Sequence, residues 1–350
     1  MKAFVLRATG GEGLEHTAVD DIPPSPEPGP GEVRVALKAA ALNHLDLFVI
    51  RGLPGLPRSF PHILGADGAG VVESVGAGVT AVRPGEPVLI NPGISDYSCE
   101  FCLAGEHSLC LQYGILGEHH PGTLAELLTI PVHNVLPLPA IAPPITWPEA
   151  AAFSLVTLTA WRMVATRARV QRGEWVLVWG IGGGVSLTAL RIAASLGARV
   201  IATSSSDVKL ARARELGAEF TVNHRTQQVV PAVRDITGTR GVDVVVENVG
   251  AATWGDSLRC LAKGGRIVTC GGTSGPKLVT DVRPLFWHQF TILGSTMGNA
   301  GEYREVVRRL GQGELRPIID AVFPLERARE AFERLARGDR IGKVGVVIGA

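Results

Sequence analysis

The stretch from Glu174 to Lys209 constrains the fold more than any other part of the chain. It contains an apolar run, a glycine-rich turn, an amphipathic segment closed by Gly197 and a second apolar run. This order predicts a strand, a tight turn, a helix and a second strand, which form one parallel crossover unit. Glycines in such a turn let the backbone approach a pyrophosphate, and the helix directs unpaired N–H groups at that anion. The stretch therefore predicts a nucleotide cofactor site; the alternative is a tight turn in an unrelated α/β domain.

The pattern of apolar residues changes near residue 150, which divides the chain into domains. Residues 1–150 contain short alternating apolar segments and two proline-rich stretches, so they predict a β-rich, barrel-like domain. Residues 151–300 alternate Val/Ile/Leu-rich segments with helical ones, which predicts a doubly wound parallel sheet covered on both faces. Residues 301–350 predict two helices and a last strand that rejoins the β-rich domain. We therefore expect an α/β protein whose first domain is discontinuous in sequence.

Two further elements bear on the architecture. Pro148 and Glu149 predict the start of one helix that continues to about Ala168. The last apolar segment of the second domain, Phe290 to Ser295, predicts a strand at the edge of the sheet. Such an edge needs covering, and pairing with a second copy across a two-fold axis would cover it. We therefore expect a homodimer or a homotetramer.

The composition excludes several classes of function. Hydrophobic residues make up 46% of the chain and the net charge is +1, so we expect neither a nucleic-acid partner nor a membrane surface. No apolar run reaches the roughly 18 residues that a membrane-spanning helix needs. Met1 to Leu6 form too short an apolar run for a signal peptide, and we expect a cytoplasmic protein. Three of the five cysteines lie within twelve residues, which favours a metal site over disulfides.

Several short motifs together resemble the medium-chain dehydrogenase/reductase superfamily, which includes the zinc alcohol dehydrogenases and their zinc-free quinone oxidoreductase relatives. The resemblance covers essentially the whole chain. Its motifs are Ala41–Asp46, Leu64–Val72, Cys99–Cys110, Leu158–Trp161 and the glycine turn. It implies a GroES-like β-rich catalytic domain over 1–150, a Rossmann dinucleotide-binding domain over 151–300, and a return to the catalytic domain over 301–350.

The resemblance also implies where a catalytic zinc ion would be held, and the chain departs from the pattern there. The ligand positions correspond to Asn43, Ala66, Asp67 and either Ser154 or Leu155. Alanine and leucine have no donor atom, asparagine is a poor zinc ligand, and one aspartate cannot hold the ion alone. We therefore expect no catalytic zinc of the usual kind. The alternative is a rebuilt metal site made from His44, His62, Asp67 and one of His119 or His120.

Without zinc, the chemistry easiest to support is hydride transfer to an acceptor that is already electrophilic. The expected function is an NADPH-dependent oxidoreductase that acts on a quinone or an α,β-unsaturated carbonyl compound. Asn43 is the candidate donor to the developing enolate oxygen, and His44 and Asp46 lie on the same turn. His44 and Asp46 could equally hold the loop or contact the cofactor. Two alternatives remain: a zinc-dependent alcohol/aldehyde dehydrogenase with an atypical metal site, and a non-enzymatic NADPH-binding redox sensor.

Asp96, Cys99, Cys102 and Cys110 repeat the spacing of the structural zinc lobe of the superfamily, in which four thiolates are usual. The first position carries a carboxylate here, and a carboxylate oxygen is an acceptable tetrahedral zinc ligand. The pattern predicts one structural zinc ion, which would stabilise the lobe and take no part in the chemistry. The alternative is a lobe that has lost its metal.

The choice of nicotinamide cofactor depends on the end of the second strand. Superfamily members that prefer NAD carry an acidic residue there for the ribose 2′-hydroxyl, and the resemblance puts that position at Ser204. Ser204, Lys209 and Arg225 suit a 2′-phosphate, so we expect NADPH in preference to NADH; Lys209 and Arg225 could equally be ordinary surface charges. The other cofactor positions that the resemblance implies are Gly180, Gly182, Gly183, Gly184, Val185, Asn248, Gly271 and Thr296.

Overall fold

The computed structural model describes residues 1–10, 13–53 and 59–349, which form two compact units. The first unit contains residues 1–155 together with 298–350, and the second contains residues 156–297. Each unit has its own hydrophobic core. The α/β fold expected from the sequence, with a β-rich part and a parallel-sheet part, is confirmed.

The first unit is built mainly of short strands. Its strands are β1 (Lys2–Leu6), β2 (Thr17–Asp21), β3 (Glu32–Ala41), β4 (His62–Ile63), β5 (Asp67–Val75), β6 (Pro87–Ile90), β7 (Gly93–Ile94), β8 (Gly114–Ile115), β9 (Leu127–Pro131), β10 (Val135–Pro137), β17 (Ile319–Pro324) and β18 (Lys343–Val347). Its helices are α1 (His44–Arg51), α2 (Glu100–Leu103), α3 (Trp147–Ala151), α10 (Ala300–Gly311) and α11 (Ala328–Ala336), and α4 (Ser154–Trp161) begins in it.

The largest sheet of this unit pairs the last strand of the chain with β3. Its strand order is β10-β6-β5-β3-β18-β17, and β9 also pairs with β3. β18 runs antiparallel to β3, with Gly345 opposite Ala41. The last strand therefore lies in the same sheet as β3.

The second unit alternates strands with helices. Its strands are β11 (Trp175–Val178), β12 (Arg199–Ser204), β13 (Phe220–Asn223), β14 (Val242–Glu247), β15 (Leu261–Thr269) and β16 (Thr291–Gly294). Its helices are α5 (Gly184–Ser195), α6 (Asp207–Glu215), α7 (Val229–Ile236), α8 (Trp254–Cys260) and α9 (Val282–Trp287). All pairs are parallel in the order β13-β12-β11-β14-β15-β16, which is the doubly wound arrangement. β16 lies at one edge, as expected.

The helix predicted from Pro148 to Ala168 is broken into three pieces, so that prediction was wrong. α3 ends at Ala151, α4 begins again at Ser154, and a π-helical turn covers Arg162–Arg167. A helix leaves the N–H groups of its first turn without partners inside the helix. The restart at Ser154 frees the Leu155 N–H, which donates to Asp67 at 2.7 Å. The break thus supplies a donor to a buried carboxylate.

The described part of the chain has no helix that combines the length and the apolar character needed to cross a bilayer. The cytoplasmic location stays a prediction.

Arg316 fastens the segment before β17 to the start of α3. Its guanidinium binds both carboxylate oxygens of Glu149, at 2.6 and 2.8 Å, and donates to the carbonyls of Pro143 and Pro144 at 2.9 Å. Partial burial alone would raise the pKa of Glu149. The hydrogen bonds from Arg316 and Thr146 outweigh it and lower this pKa to about 2.

We expect Arg316→Met to lower the free energy of unfolding at pH 7 by about 1–3 kcal/mol, since it removes charge-assisted hydrogen bonds. A carboxyl group with a lowered folded-state pKa stabilises the fold above its unfolded pKa of 4.5 and loses this effect toward pH 2. The difference from the wild type, measured by urea denaturation, should therefore shrink over that range. Arg283→Met, which breaks an exposed pair with Asp281, is the control and should have no measurable effect. A difference in the free energy of unfolding that is the same at every pH would contradict the role of Arg316 in lowering the Glu149 pKa.

Candidate functional site

The predicted cofactor residues lie at the carboxyl-terminal ends of the strands of the parallel sheet. All strands of this sheet run in the same direction, so their carboxyl ends meet at this edge. The glycine turn follows β11, Ser204 ends β12, and Asn248, Gly271 and Thr296 lie within two residues of the ends of β14, β15 and β16. Ligands of doubly wound sheets bind at this edge, where the strand order reverses. Here the reversal falls between β11 and β14.

The glycine turn has the geometry that a bound pyrophosphate requires. Gly180 and Gly182 have φ values of +64° and +141°, which L side chains rarely adopt. Gly183 is different, because its φ is −79° and a Cβ atom there would have no neighbour within 4 Å. The packing of the chain thus does not require glycine at 183, and the space beside this backbone is open. α5 begins at Gly184 with Val185 in its first turn, whose N–H groups have no partners inside the helix.

Hydrogen bonds to β12 hold the glycine turn in place. The Gly180 N–H donates to Thr203 Oγ1 at 3.3 Å, and the Ile181 N–H donates to the Thr203 carbonyl at 2.8 Å. The Ser204 hydroxyl, which is buried, donates to the Ile181 carbonyl at 3.3 Å. Ser204 therefore already has a role inside the fold.

A buried carboxylate that the sequence analysis did not single out orders the turn after β14. Glu247 is fully buried and accepts hydrogen bonds from two backbone N–H groups and two hydroxyls, those of Val249, Gly250, Thr253 and Ser257, at 2.6–3.1 Å. Four donors compensate for taking the charge out of water. The adjacent Asn248 donates its Nδ2 to Ser186 Oγ at 3.0 Å. These contacts connect the end of β14 to α5, next to the glycine turn.

The carboxyl end of β12 carries no acidic residue. The nearest carboxylate along the chain belongs to Asp207, whose Oδ1 accepts from Asn223 Nδ2 at 2.7 Å. Lys209 follows on α6 and is buried, whereas Arg225, after the neighbouring β13, is exposed. The side chains around this strand end are therefore mainly hydroxyl, amide and basic groups.

In the first unit, Asp67 joins the segments at which the resemblance puts catalytic metal ligands. Asp67 is fully buried. Its Oδ2 accepts from Asn43 Nδ2 at 3.0 Å, and its Oδ1 accepts from the Leu155 N–H at 2.7 Å. Ala66 offers no donor atom, and the Ser154 hydroxyl is hydrogen-bonded to Tyr303 Oη at 2.9 Å. These residues do not fit a catalytic zinc ion.

Lys343 completes this cluster, and the sequence analysis did not find it. Its ammonium donates to Asp67 Oδ2 at 2.9 Å and also to Asn43 Oδ1. The Lys343 side chain is only 4% exposed and that of Asp67 is 0% exposed. The cluster therefore contains a buried ion pair. The signal in the sequence was a lone lysine at the start of an apolar strand, which is also typical of a solvated strand end.

The other two predicted catalytic residues lie at the start of α1. The Asn43 N–H donates to Asp46 Oδ2 at 2.7 Å. Burial raises the pKa of Asp46 to about 7, although the Asn43 N–H and the Lys343 charge act to lower it. His44 Nδ1 lies 2.9 Å from Arg340 Nη2; because a guanidinium only donates, Nδ1 accepts and the proton lies on Nε2.

Asp46 and His44 differ in what they can do with a proton. Packing of the His44 ring against the protein, and the charges of Arg340 and Lys343, lower the pKa of His44. The imidazole is therefore neutral at pH 7. Asp46 differs, since burial raises its pKa and its carboxyl group holds the start of α1.

The alternative metal site built from histidines is not assembled. The His62 Nε2 is hydrogen-bonded to the Gly117 carbonyl at 2.9 Å, and His44 is bonded to Arg340. In residues 1–10, 13–53 and 59–349, only the cysteine lobe brings the ligand atoms of three or more His, Cys, Asp or Glu side chains together.

The cysteine lobe can hold a metal ion. One ligand atom from each of Asp96, Cys99, Cys102 and Cys110 lies within 4.8 Å of all the others. A zinc ion with Zn–S bonds of about 2.3 Å needs its donors about 3.8 Å apart, so a small contraction is enough. The N–H groups of Ser98 and Cys99 donate to Asp96 Oδ1 at 2.8 and 2.9 Å, and these bonds lower the pKa of Asp96. The carboxylate is therefore charged and oriented as a ligand would be.

Comparison with protein families and known proteins gives concordant matches. The zinc-binding dehydrogenase family matches residues 184–312, and the alcohol dehydrogenase GroES-like domain matches residues 29–140. A zinc-type alcohol dehydrogenase-like protein of Schizosaccharomyces pombe is 34% identical to the chain, and the match covers 90% of each protein.

Two further matches extend over nearly the whole chain. A crotonyl-CoA reductase of Streptomyces collinus is 31% identical, and the match covers 94% of this chain and 81% of that protein. The crystal structure of an NAD-dependent alcohol dehydrogenase is 46% identical, with a TM-score of 0.94 over 100% of both chains.

Proposed function

Since the chain belongs to the zinc-type alcohol dehydrogenase-like branch of the medium-chain dehydrogenase/reductase superfamily and is an NAD(P)H-dependent oxidoreductase, we propose that it reduces α,β-unsaturated carbonyl compounds or quinones with NADPH. The observation that carries this proposal is the cluster of Asn43, Asp67 and Lys343. Alcohol oxidation in zinc enzymes needs a Lewis acid that lowers the pKa of the alcohol. This cluster has hydrogen bonds where such a metal would need ligands.

An enone or enal needs no metal ion to accept a hydride. When bound, the reduced nicotinamide cofactor supplies the hydride to the β-carbon, and the electron pair of the double bond moves to the carbonyl oxygen as an enolate. A proton then completes the reduction at the α-carbon. The protein has to orient the acceptor and place donors or positive charge near the enolate oxygen. Similarity to a crotonyl-CoA reductase supports an enoyl thioester among the acceptors.

The cofactor preference is proposed from the end of β12. A carboxylate at this position would repel a 2′-phosphate, and Ser204 stands there instead. Lys209 and Arg225 lie on α6 and after β13, next to this strand end, and a phosphate favours such cations. The turn residues Gly180 to Val185 would hold the pyrophosphate. The similar alcohol dehydrogenase is described as NAD-dependent, which makes NADH the alternative.

We expect steady turnover with NADPH of a 2-enal, a 2-enoyl thioester or a simple quinone, and little oxidation of alcohols. A panel of these acceptors and alcohols, assayed with both cofactors, measures this. Turnover of alcohols alone, lost when metal is stripped, would favour the metal-dependent dehydrogenase. Binding of NADPH without turnover of any acceptor would favour the non-enzymatic redox sensor.

Arg225→Ala tests the cofactor preference within the same assay. Loss of one charge-assisted hydrogen bond to the 2′-phosphate should raise the KM for NADPH by roughly 10- to 100-fold and leave the KM for NADH unchanged. Arg337→Ala, at another exposed arginine, is the matched control. An equal change in the KM for NADPH and for NADH would contradict a contact between Arg225 and the 2′-phosphate.

We propose that the cysteine lobe holds one structural zinc ion. The charged and oriented Asp96 and the three thiol groups support this, since a closed set of four ligands stabilises a fold without chemistry. Elemental analysis should find one zinc per chain. Cys102→Ser should lose the zinc and lower the Tm, whereas Cys270→Ser, outside the lobe, should keep both. Full zinc content in the Cys102 variant would contradict the ligand set.

We also propose that the protein is a homodimer or homotetramer that pairs through β16. This edge strand exposes Ile292, and the preceding α9 exposes Val282, Phe286 and Trp287, which are 61%, 63% and 74% exposed. An exposed edge strand offers unpaired backbone groups for pairing with another strand, and exposed apolar side chains beside it favour such contact.

Ile292→Lys should shift the protein toward monomers, as measured by sedimentation velocity at several concentrations, because it buries a charge in the paired edge. Val322→Lys is the control, since Val322 is similarly exposed on β17, the edge strand of the other unit's sheet. An unchanged mass for the Ile292 variant, or a wild type that is monomeric, would rule this interface out.

A further inference from the structure

A cavity in the second unit lies at the opposite ends of the strands from the predicted cofactor residues. Its volume is about 600 Å³, and its lining includes Arg240 before β14, Leu261 at the start of β15 and Phe290 before β16. β14 contains six residues, so its two ends are about 17 Å apart. A cavity of this volume suits a small organic molecule. A ligand bound there would leave the cofactor position open.

Positively charged side chains line this cavity. The four cations are Arg234, Arg240, Arg259 and Lys263. Arg240 and Arg259 are paired with aspartates. Within the part of the chain that the structure describes, neither Arg234 nor Lys263 forms an ion pair with a carboxylate. The cavity therefore has an excess of positive charge.

Arg234 is held in a fixed position at the cavity. Its two terminal nitrogens donate, at 2.7–3.1 Å, to the backbone carbonyls of Thr239, Arg240, Arg259 and Leu261. These acceptors are neutral, so they fix the guanidinium and leave its charge without a counterion. The backbone also makes room for this group, because a Cβ atom at Gly241 would lie 2.8 Å from Arg234 Nη1.

Lys263 has no structural role of this kind. It lies on β15 and is exposed, and its side chain makes no hydrogen bond to another described residue. Cations often lie near helix C-termini because they complement the helix dipole, which accounts for Arg234 on α7 and Arg259 on α8. That reason does not apply to a lysine on a strand. Its ammonium can therefore turn to a ligand beside the fixed guanidinium.

The rest of the lining is mainly apolar. Leu258, Pro284 and Phe290 contribute to it, and the Phe290 ring lies 5.4 Å from the ring of His288, which also lines the cavity. The His288 Nδ1 is buried and has no hydrogen-bond partner among the described residues. A buried polar atom of this kind costs free energy, and a ligand in the cavity is one source of a partner. Cations beside apolar walls suit a molecule with an anionic group and an apolar body.

We propose that this cavity binds a small organic phosphate whose body is apolar or aromatic. A phosphate monoester carries a charge of about −1.5 to −2 at pH 7. Two cations without carboxylate partners match this charge better than they match the single charge of a carboxylate. The nitrogens of Arg234 and Lys263 would donate to the phosphate oxygens, while Leu258 and Phe290 pack against the body. The proposal does not rest on the reductase function, because the cavity and the predicted cofactor residues lie at opposite ends of the strands.

Isothermal titration calorimetry with 1-naphthyl phosphate tests the proposal. This probe should bind roughly tenfold more tightly than 1-naphthol, which lacks the charge, or inorganic phosphate, which lacks the ring. Its affinity should fall as NaCl is added, because the Lys263 ammonium is exposed and salt screens it. Excess NADPH or NADH should leave the affinity unchanged, since the cofactor residues lie at the other ends of the strands.

Two matched pairs of variants locate the probe. Thr239 lines the cavity and is exposed, and its φ of +68° costs a β-branched residue more than it costs Glu or Gln. Thr239→Glu should weaken binding of the probe by roughly tenfold, because it adds a negative charge beside the phosphate. Thr239→Gln has the same size without the charge and should bind as the wild type does. Lys263→Met should weaken binding by about threefold, whereas Lys277→Met, at an exposed lysine outside the cavity, should have no effect.

Each contrary outcome overturns a definite part of the proposal. No binding of 1-naphthyl phosphate to the wild type would overturn the site, as would equal affinities of the Glu and Gln variants at Thr239. Competition by NADPH would place the probe among the cofactor residues instead. Equal binding of 1-naphthoate would contradict the preference for a phosphate, and unchanged binding by the Lys263 variant would contradict the role of its ammonium. A wild type that reduces no acceptor would overturn the proposed function and leave this site standing.

Discussion

The buried carboxylate of Asp67 is the group on which the site of the first unit depends. A charge at 0% exposure must be hydrogen-bonded and paired, or the fold loses more free energy than a domain can spare. Its partners come from distant parts of the sequence: Asn43 on one side, the Leu155 N–H on another, and Lys343 from the last strand. The restart of helix at Ser154 leaves the Leu155 N–H available to this carboxylate, and Lys343, at the start of an apolar strand, supplies the positive charge.

The second unit depends on a different constraint, the parallel direction of its strands. Because the carboxyl-terminal ends of all strands lie on the same side of the sheet, short loops that are far apart in sequence become neighbours there. Glu247 shows how such an edge is ordered. Its four hydrogen bonds hold the turn after β14, and Asn248 then reaches Ser186 on α5. The Ser186 hydroxyl accepts this hydrogen bond, which a glycine at the same position could not do.

Local patterns explain which features could be predicted from the sequence. The glycine turn, the Val-rich strands and the spacing from Asp96 to Cys110 are contained in short segments, so their residues could be assigned before the fold was known. Lys343 and Glu247 could not, since each has a role only through contacts set by strand register or strand order. In the sequence, Lys343 begins an apolar run and Glu247 ends one, and a single charge at either position is also typical of a solvated strand end. The break in the helix after Trp147 could not be predicted either, because the N–H group that it frees binds a carboxylate 88 residues away.

The two metal positions of the superfamily also differ in whether their ligands come from one short segment or from several distant ones. The lobe takes all four ligands from one short segment, and when a carboxylate replaces a thiolate there, two neighbouring N–H groups suffice to orient it. A catalytic site of the zinc type takes its ligands from three separate segments, and Ala66, at one of these positions, offers no donor atom. What persists at that position is the electrostatic requirement of the remaining carboxylate. An ammonium on an adjacent strand meets this requirement with one charge and directional hydrogen bonds.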